Sequence, residues 1–448
     1  MSHYKPYPAY KDSGVEWIGP VPEHWDVMRL RHVAAFKNSN VDKKTYDGQE
    51  TVSLCNYTDV YYNEFITSNL PFMQATASPA EIEQFTLKKG DVIITKDSED
   101  PSDIGIPALV AEELPGVVCG YHLTMIRGAD FVTARLLHRA IQSRPTQAHF
   151  FVEAPGITRY GLSQDAIGDL PLCIPPEDER YALTNQIDRE TARIDALIAK
   201  KTRFIELLKE KRQALITHAV TKGLDPEVKM KDSGVEWIGE VPEHWIVAPI
   251  KRWFVTTSGA TPDTSQQAKY YADSDGVPWI RTTDLNNGLV EDYELAITDE
   301  AIRDTACKQL PVGSILIAMY GGEGTIGKNG RLGIVACINQ AICALLPTKS
   351  FDIDFAFAYI QFYRPHWMVD AASTRKDPNI SQDLIRSAPI ACPPVEEQRR
   401  IARYLGTHLA RIDALIGKTQ HSIDLLKERR SAFITAAVTG QIDLRGDA

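Results

Sequence analysis

The chain has 448 residues and a formal net charge of −10 at pH 7, with 44% hydrophobic and 24% charged residues. This length predicts more than one domain, and the composition is typical of a soluble globular protein. No apolar run is long enough to cross a membrane, and the N-terminus lacks the apolar segment of a signal peptide. The seven cysteines are scattered without a Cys-x-x-Cys pair, which favours a reducing cytoplasm and argues against structural zinc.

The acidic balance argues against a chain that binds nucleic acid through overall positive charge. It does not exclude such binding, because contact with phosphates needs a basic face rather than a basic chain.

The first distinctive segment covers residues 11–27 and reads KDSGVEWIGPVPEHWDV. Residues 231–247 repeat it with only two changes. Its Trp, Gly and Pro content predicts an ordered segment without regular secondary structure, anchored by two tryptophans in each copy. His24 and its copy His244 each stand beside a tryptophan of this packing motif, so a structural role is favoured over a catalytic one.

Two segments of similar length but different sequence follow the two copies, at residues 28–174 and 248–392. Residues 89–95 and 312–318 share a pattern of a turn followed by an apolar run, which predicts a buried strand in each segment. Short β-type runs with few long helical patterns predict that each segment is a mixed α/β globule.

A long helix is predicted after each globule. Residues 177–221 contain no Pro or Gly, follow Pro175-Pro176 and precede Gly223. Apolar residues recur at alternating steps of four and three, as in a coiled-coil seam, except that Lys201 and Arg212, and in the second copy Thr419 and Arg430, occupy the missing steps. The seam residues are Ile194, Ile198, Ile205, Leu208, Leu215 and Ala219, and in the second copy Ile412, Ile416, Ile423, Leu426, Phe433 and Ala437. An ordinary amphipathic helix is the alternative, but ~45 residues at ~1.5 Å each exceed a domain diameter.

The helix is the most strongly repeated part of the chain. Residues 192–198 read ARIDALI and return without change at residues 410–416, 218 residues later. The chain is therefore an internal duplication, in which each half consists of an anchor segment (residues 11–27 or 231–247), a globule and a long helix. We expect a mixed α/β fold with an internal pseudo-two-fold repeat, in which two globular domains with β-sheet cores are separated by two long helices forming an antiparallel coiled coil. The predicted divisions are residues 1–174, 175–222, 223–392 and 393–448.

These repeated segments resemble the specificity subunit of type I restriction-modification systems. The resemblance covers essentially the whole chain and is most specific in GVEWIG at 14–19, VPEHW at 21–25 and their second copies. The sequence PPVEEQ at 393–398 and the RIDALI helices add to it. The start of the first helix departs from the pattern, with Glu179-Arg180 where the second has Glu397-Gln398, and we do not expect this change to alter function.

The resemblance implies two target recognition domains, each reading one half of a split double-stranded DNA sequence. It also implies that the paired helices dock two methyltransferase subunits and that restriction subunits join this core. S-adenosylmethionine is then expected on the methyltransferase partner, and ATP and Mg²⁺ on the restriction partner, with no cofactor in this chain.

Catalysis by the chain itself is not expected, because it contains no Asn/Asp-Pro-Pro-Tyr/Phe motif of an adenine methyltransferase. Residues 322–329 satisfy the Gly-x4-Gly-Lys part of a phosphate-binding loop. However, Asn329 stands where the magnesium-binding Ser or Thr should be, and Gly330 and Gly333 follow where the helix should start. A Gly-rich hairpin beside DNA, or a plain structural turn, is therefore preferred.

Candidate base-reading residues are the side chains that suit major-groove hydrogen bonds, in two clusters that recur in both globules. They are Lys96, Arg159, Tyr160, Tyr320, Lys328, Arg331, Arg375, Lys376 and Asn379. Each could instead be a solvated surface group. Apolar residues in excess of a two-stranded seam predict a docking stripe for the methyltransferase, formed by Leu197, Phe204 and Leu415.

Two other classes of function remain open from the sequence. One is an enzyme with an unrecognised site, which a methylation assay on the purified chain would detect. The other is a symmetric scaffold that binds only proteins, which gel-shift binding to a random DNA library would separate from a DNA reader.

Overall fold

The computed structural model describes residues 4–273, 275–321, 324–372 and 379–445. The chain divides into two compact units, one formed by residues 1–202 with 420–448 and the other by residues 203–419. Each unit therefore combines one globule with part of each long helix. All seven cysteines are buried and none forms a disulfide.

The strands of the first unit are β1 (Tyr10–Asp12), β2 (Pro20–Pro22), β3 (Asp26–Arg29), β4 (Ala34–Asn38), β5 (Glu50–Cys55), β6 (Phe65–Ile66), β7 (Met73–Ala77), β8 (Asp91–Thr95), β9 (Asp97–Ser98), β10 (Pro107–Val110), β11 (Val117–Cys119), β12 (Leu123–Gly128), β13 (Tyr160–Gly161) and β14 (Pro171–Ile174). Its helices are α1 (Tyr57–Tyr61), α2 (Pro79–Phe85), α3 (Phe131–Ile141), α4 (Arg144–Glu153), α5 (Gln164–Gly168) and the start of α6 (Glu177–Lys222).

A five-stranded sheet with the order β4-β12-β8-β10-β6 forms the centre of this unit. Only the pairing of β10 with the edge strand β6 is parallel. The strand predicted from residues 89–95 is the central strand β8, whose residues are all buried. An apolar run such as Val92-Ile93-Ile94 suits a strand that is covered on both faces. A second sheet has the order β11-β5-β7.

The strands of the second unit are β15 (Met230–Asp232), β16 (Glu240–Pro242), β17 (Ile246–Pro249), β18 (Thr256–Ser258), β19 (Tyr271–Ala272), β20 (Val277–Ile280), β21 (Leu289–Val290), β22 (Ala296–Ile297), β23 (Ile315–Ala318), β24 (Asn329–Leu332), β25 (Cys337–Ile338), β26 (Ile342–Leu345) and β27 (Pro389–Cys392). Its helices, besides the end of α6, are α7 (Gln267–Tyr270), α8 (Asp299–Asp304), α9 (Ile353–Ala372), α10 (Gln382–Ser387) and the start of α11 (Val395–Val438).

The main sheet of the second unit has the order β18-β26-β23-β24-β21. As in the first unit, only the edge pairing, here β21 with β24, is parallel. A four-stranded sheet, β19-β22-β20-β25, takes the place of the smaller sheet. The two globules therefore share the order and sense of their main strands, although their sequences differ.

The first long helix, predicted over residues 177–221, is confirmed as α6. It starts after Pro175-Pro176 with three acidic residues in its first turn, which suits the positive N-terminal end of a helix dipole. It ends before Gly223, whose φ of +76° lies in the left-handed region. Glycine is favoured at such a helix end because it carries no Cβ.

The anchor segments differ from the prediction of segments without regular secondary structure. Each contains an antiparallel pair of short strands, β1 with β2 and β15 with β16. Trp25 and Trp245 are completely buried, but Trp17 is 41% exposed and stacks on His149. One tryptophan per copy therefore fills the core. The other is exposed in the first copy, but in the second copy Trp237 is partly buried and packs against Tyr363 and His366.

The described residues contain neither a membrane-spanning helix nor a metal-binding cluster. Among them, no helix has the length and apolarity needed to span a membrane. Nor do they contain a group of three or more His, Cys, Asp or Glu side chains placed to hold a metal ion.

Candidate nucleic-acid interface

In the first unit, the strand ends bring Lys96, Arg159 and Tyr160 together from distant parts of the chain. Lys96 directly follows β8, and its carbonyl oxygen accepts a hydrogen bond of 2.8 Å from the Leu162 N–H. The short strands β9 and β13 pair beside it, with Tyr160 opposite Ser98. The predicted residues of this unit therefore belong to one surface cluster.

Arg159 is held in this cluster by Asp97. Its Nη2 donates to Asp97 Oδ1 at 2.7 Å, and His122 Nδ1 lies 2.6 Å from the same oxygen. Arg159 Nη2 is also 2.8 Å from His122 Nδ1, and this nitrogen can either donate or accept, but not both. With the proton on Nδ1, both side chains donate to the carboxylate. The Arg159 side chain is 57% exposed, so it remains accessible to a ligand.

Lys96 is more enclosed than the prediction of a base-reading residue suggests. Its Nζ lies 4.5 Å from the centre of the Tyr121 ring and 3.9 Å from Asp97 Oδ2. A cation over an aromatic face at this distance is attracted to the ring. The side chain is only 14% exposed, so Lys96 contributes charge to the cluster more readily than direct contacts.

Sequence reasoning missed three members of the cluster: Asp97, Tyr121 and His122. Asp97 is adjacent to Lys96 in the chain and could have been included for that reason. Tyr121 and His122 lie between β11 and β12, and no local pattern links them to Arg159. Their proximity arises from the sheet, because the Lys96 N–H donates to the His122 carbonyl at 3.0 Å.

In the second unit, the predicted Tyr320 and Lys328 lie on a Gly-rich hairpin. The Ala318 N–H donates to Lys328 O at 2.8 Å, and the Gly327 N–H donates to Ala318 O at 2.9 Å, which closes the loop between β23 and β24. Lys328 is followed by a strand, whereas a phosphate-binding loop requires a helix there. The hairpin interpretation therefore agrees with the described residues, and the phosphate-loop interpretation does not.

The hairpin is fixed to the rest of the unit by α9. Arg364 donates to Gly324 O at 2.7 Å, and a Cβ on Gly327 would lie 2.9 Å from the Arg364 side chain. Tyr320 is 39% exposed at the start of the loop.

Arg331, also predicted to read bases, is on β24 and forms an ion pair with Asp354.

Arg375 and Lys376 lie outside the described residues. Asn379, which is exposed, precedes Ile380, whose N–H donates to Met319 O at 2.8 Å. This bond is the counterpart of the one from Leu162 to Lys96. Met319 therefore occupies the position of Lys96, so the second unit lacks the lysine that enters the cluster of the first.

The predicted docking residues on the long helices are exposed to similar degrees: 41% for Leu197, 44% for Phe204 and 46% for Leu415. Leu207 and Leu425 are exposed as well and were missed. The sequence repeat could have identified them, because Leu207 and Leu425 are equivalent apolar residues in the two copies and neither belongs to the predicted coiled-coil seam. Each unit thus exposes leucines from its share of the long helices.

The same ion pair joins α6 and α11 in each unit. Arg430 and Asp195 form it in the first unit, with a shortest nitrogen–oxygen distance of 2.9 Å. Arg212 and Asp413 form it in the second unit at 3.1 Å. Arg212 and Asp413 are the repeat copies of Arg430 and Asp195, so equivalent residues make equivalent pairs.

The anchor segments are tied to the starts of the long helices. His24 Nε2 lies 2.8 Å from the buried carboxylate of Glu179, and His244 Nε2 lies 2.7 Å from Glu397. Each histidine thus has a structural partner, in agreement with the predicted packing role.

The departure from the family pattern at Arg180 is also accommodated. Arg180 Nε donates to Pro175 O at 2.8 Å, and Gln398 Nε2 donates to Pro393 O at the same distance. Both residues therefore bind the carbonyl of the first proline before the helix, and the change preserves this contact.

Comparison with known proteins finds several that are similar to this chain. Residues 242–424 match the family model for the type I restriction modification DNA specificity domain. A protein of Methanocaldococcus jannaschii, provisionally named as the MjaX type I restriction enzyme specificity subunit, is 21% identical over 439 residues and 96% of each chain. The EcoKI specificity subunit of Escherichia coli K12 is 27% identical over 212 residues, 46% of this chain and 44% of its own length.

Solved structures share the fold. A chain from a type I restriction-modification system, solved to explain complex assembly and conformational transition, superimposes with a TM-score of 0.71 at 17% identity, covering 96% of this chain and 99% of its own. The HsdS subunit of Thermoanaerobacter tengcongensis gives a TM-score of 0.50 at 16% identity, covering 94% and 98%. The resemblance seen in the sequence is therefore confirmed: the chain is similar in sequence to type I restriction-modification specificity subunits and shares the fold of solved ones.

Proposed function

We propose that the chain is the sequence-specific DNA-binding subunit of a type I restriction-modification complex, with one recognition domain for each half of a bipartite target. The observation that carries this proposal is that the two globules have the same main sheet but different side chains at the ends of its strands. The main sheets share one strand order, but the equivalent surfaces carry Lys96, Asp97 and Arg159 in one unit and Met319 and Tyr320 in the other. Two domains with the same sheet but different exposed side chains suit the recognition of two different half-sites.

The long helices are proposed to form an antiparallel coiled coil between target recognition domains at residues 1–174 and 223–392. The reciprocal ion pairs support this arrangement. In one unit α6 supplies the aspartate and α11 the arginine, and in the other the roles are exchanged. Two copies of one helix that pair in opposite directions produce this exchange, which also suits a pseudo-two-fold axis.

The DNA contacts are proposed to come from exposed basic and amide groups at the ends of the central strands. In the first unit, Arg159 is the best placed, because Asp97 orients its guanidinium while most of the side chain stays exposed. Lys96 and Tyr160 flank it. In the second unit the proposed residues are Tyr320, Lys328, Arg331, Arg375, Lys376 and Asn379. Arginine can bind guanine and asparagine can bind adenine through paired hydrogen bonds.

Two methyltransferase subunits are proposed to dock on the exposed apolar residues of the long helices, including Leu197, Phe204 and Leu415. Restriction subunits join that core. The chain is proposed to contribute recognition and no catalysis. The methyltransferase would hold S-adenosylmethionine, and the restriction subunit would hold ATP and Mg²⁺.

The test is methylome sequencing of a host that carries this gene with its partner genes. We expect one methylated motif in two short parts separated by a fixed spacer of any sequence. A host with the partner genes alone is the control and should lack the motif. Methylation that does not depend on this gene, or that follows a single undivided motif, would overturn the proposal.

A further inference from the structure

The two globules have equivalent positions just before their parallel edge strands, and these positions carry different residues. Glu64 precedes β6, and its carbonyl oxygen accepts a hydrogen bond of 3.0 Å from the Leu109 N–H. Gly288 precedes β21, and its carbonyl oxygen accepts a bond of 2.9 Å from the Arg331 N–H. Glu64 and Gly288 are therefore structural counterparts, although the sequences around them do not align.

In the first unit, Glu64 supplies a carboxylate to the arginines around the long helices. It forms ion pairs with Arg430 on α11 and with the buried Arg139 on α3. Arg430 also binds Asp195, so its guanidinium contacts two carboxylates. The repeat places Arg212 at the position of Arg430.

In the second unit, the counterpart arginine has one carboxylate fewer. Arg212 binds Asp413, and no other carboxylate of the described residues lies within ion-pair distance of it. Gly288, at the position of Glu64, has no side chain to offer. Arg212 remains partly enclosed, with 28% of its side chain exposed. An enclosed guanidinium is stabilised when it meets an acceptor that matches its fork of N–H donors.

A cleft of about 590 Å³ opens beside Arg212. Its lining includes Arg212, Gln213, Asn287, Gln361, Arg364 and Asp413. Among the described residues, the ionisable ones that line it are two arginines and one aspartate, which gives this lining an excess of positive charge. The corresponding cleft of the first unit is lined by Asn63, Gln142, Asp195, Arg430 and Ser431, together with Glu64.

We propose that this cleft of the second unit is a binding site for a carboxylate group, which takes the place that the Glu64 side chain has in the first unit. The carboxylate contacts Arg212, and the amides of Asn287 and Gln361 line the site beside it. The group can belong to a small carboxylic acid or to an acidic side chain of the methyltransferase partner. The second source rests on the proposed function, because it requires a subunit docked on the helices that carry Arg212 and Asp413.

The first experiment titrates glutarate into the full chain by calorimetry at constant ionic strength. We expect saturable binding with one site per chain. Gly288→Glu should weaken this binding at least tenfold, because the new side chain supplies the missing carboxylate to Arg212. The added Cβ would lie 3.3 Å from the Asn286 side-chain oxygen, a tight contact that this side chain must relieve in both Gly288→Glu and its matched control.

Gly288→Gln is the matched control, since it adds the same bulk without charge. It should bind glutarate within about threefold of the unsubstituted chain, whereas Arg212→Gln should lose binding. Equal binding by Gly288→Glu and the unsubstituted chain would overturn the proposal. So would an absence of saturable binding, or equally tight binding of inorganic sulfate, which would indicate a general anion site.

A second arm repeats the titration on the complex with methyltransferase subunits. If glutarate no longer binds, a partner side chain fills the cleft, and if it still binds, the ligand is a small acid. Both results support a carboxylate site and assign its source. If the complex does not assemble, the proposed docking fails, but the titration of the chain alone still tests the cleft.

Discussion

Arg430 binds Asp195 with Nε 2.9 Å from the nearer carboxylate oxygen, and it also binds Glu64, which lies 366 residues away in the chain. Its repeat copy Arg212 binds only Asp413 among the described carboxylates. Identical positions in the repeat thus have different electrostatic surroundings. The divergent globules, rather than the repeated helices, create this difference.

This asymmetry predicts unequal costs for the same substitution. Arg430→Gln should lower the free energy of unfolding of the first unit by about 1.5–3 kcal/mol, because it removes charged hydrogen bonds from the enclosed Arg430 position to both Asp195 and Glu64. Arg212→Gln should cost the second unit about 0.2–1 kcal/mol, because it removes a single ion pair whose aspartate is half exposed. Urea unfolding of both variants checks this, and equal costs would contradict the comparison.

A second prediction concerns acid stability and His138. Burial, together with the neighbouring Arg139 cation, holds the pKa of His138 well below its ordinary value. The folded chain therefore keeps this imidazole neutral, whereas the unfolded chain takes up a proton near pH 6.5. Stability should fall by up to about 1.4 kcal/mol for each pH unit below that value.

The measurement is urea unfolding at pH 7.5 and pH 5.5. In His138→Gln, the difference between the two pH values should be smaller than in the unsubstituted chain. His218→Gln is the control, because His218 is exposed, and it should leave the difference unchanged. An unaltered pH dependence in His138→Gln would show that this histidine does not contribute.

The parts of the fold that the sequence predicted are those specified locally. The helix α6 follows from a stretch without Pro or Gly that carries a recurrent apolar pattern and is bounded by Pro176 and Gly223, and β8 follows from the run Val92-Ile93-Ile94. Such patterns indicate how one segment buries its own side chains. They predicted the elements well because each element is determined mainly by neighbouring residues.

The contacts of the candidate sites could not be predicted in the same way. The cluster around Arg159 needs Asp97 and His122, which are separated from it by 62 and 37 residues. Glu64 meets Arg430 only because the strand before which it stands is the edge of a folded sheet. Such proximity depends on sheet order, and no spacing rule in a single sequence gives that order.

A third prediction addresses DNA reading by Arg159. Arg159→Ala should relax one half-site and leave the other unchanged, at a cost of roughly 1–3 kcal/mol in discrimination if the contact is to a base. Arg375→Ala should affect the other half-site. Asp97→Asn should weaken the same half-site as Arg159→Ala, because the carboxylate orients the guanidinium.

Binding to a library of bipartite DNA sites is the measurement. Lys88→Ala serves as the control, since Lys88 is exposed before β8, at the opposite end of that strand from Lys96. A uniform loss of affinity for all sequences would identify Arg159 as a phosphate contact instead. No change in either variant would mean that other loops read the DNA.

A fourth prediction concerns partner docking. The double variant Phe204→Glu with Leu415→Glu should abolish co-purification with the methyltransferase, because two charges would have to be buried at an apolar interface. The fold should persist, since both side chains are exposed. Lys209→Glu is the control and should still assemble, because Lys209 lies on a different face of α6. Normal assembly of the double variant would exclude this stripe.

The last prediction is that the long helices act as a ruler for the spacer between half-sites. The helices pass from one unit to the other at Thr202 in α6 and at Thr419 in α11. Insertions should be made there rather than nearer the end of α6, where Ile216 and Ala219 belong to the core of the second unit. Four residues added after each threonine extend both helices and leave the ion pairs within each unit in place.

Four residues lengthen a helix by ~6 Å and rotate the remainder of that helix by about 40° beyond a full turn. One base pair of B-DNA advances ~3.4 Å and turns by roughly 35°, since one turn holds about 10–10.5 base pairs. The double insertion should therefore lengthen the preferred spacer by about one base pair and leave both half-site sequences unchanged. The methylated motif in cells is the readout. An unaltered spacer with full activity would show that the helices do not set this distance. Altered half-site bases would show that base recognition by the globules depends on the long helices.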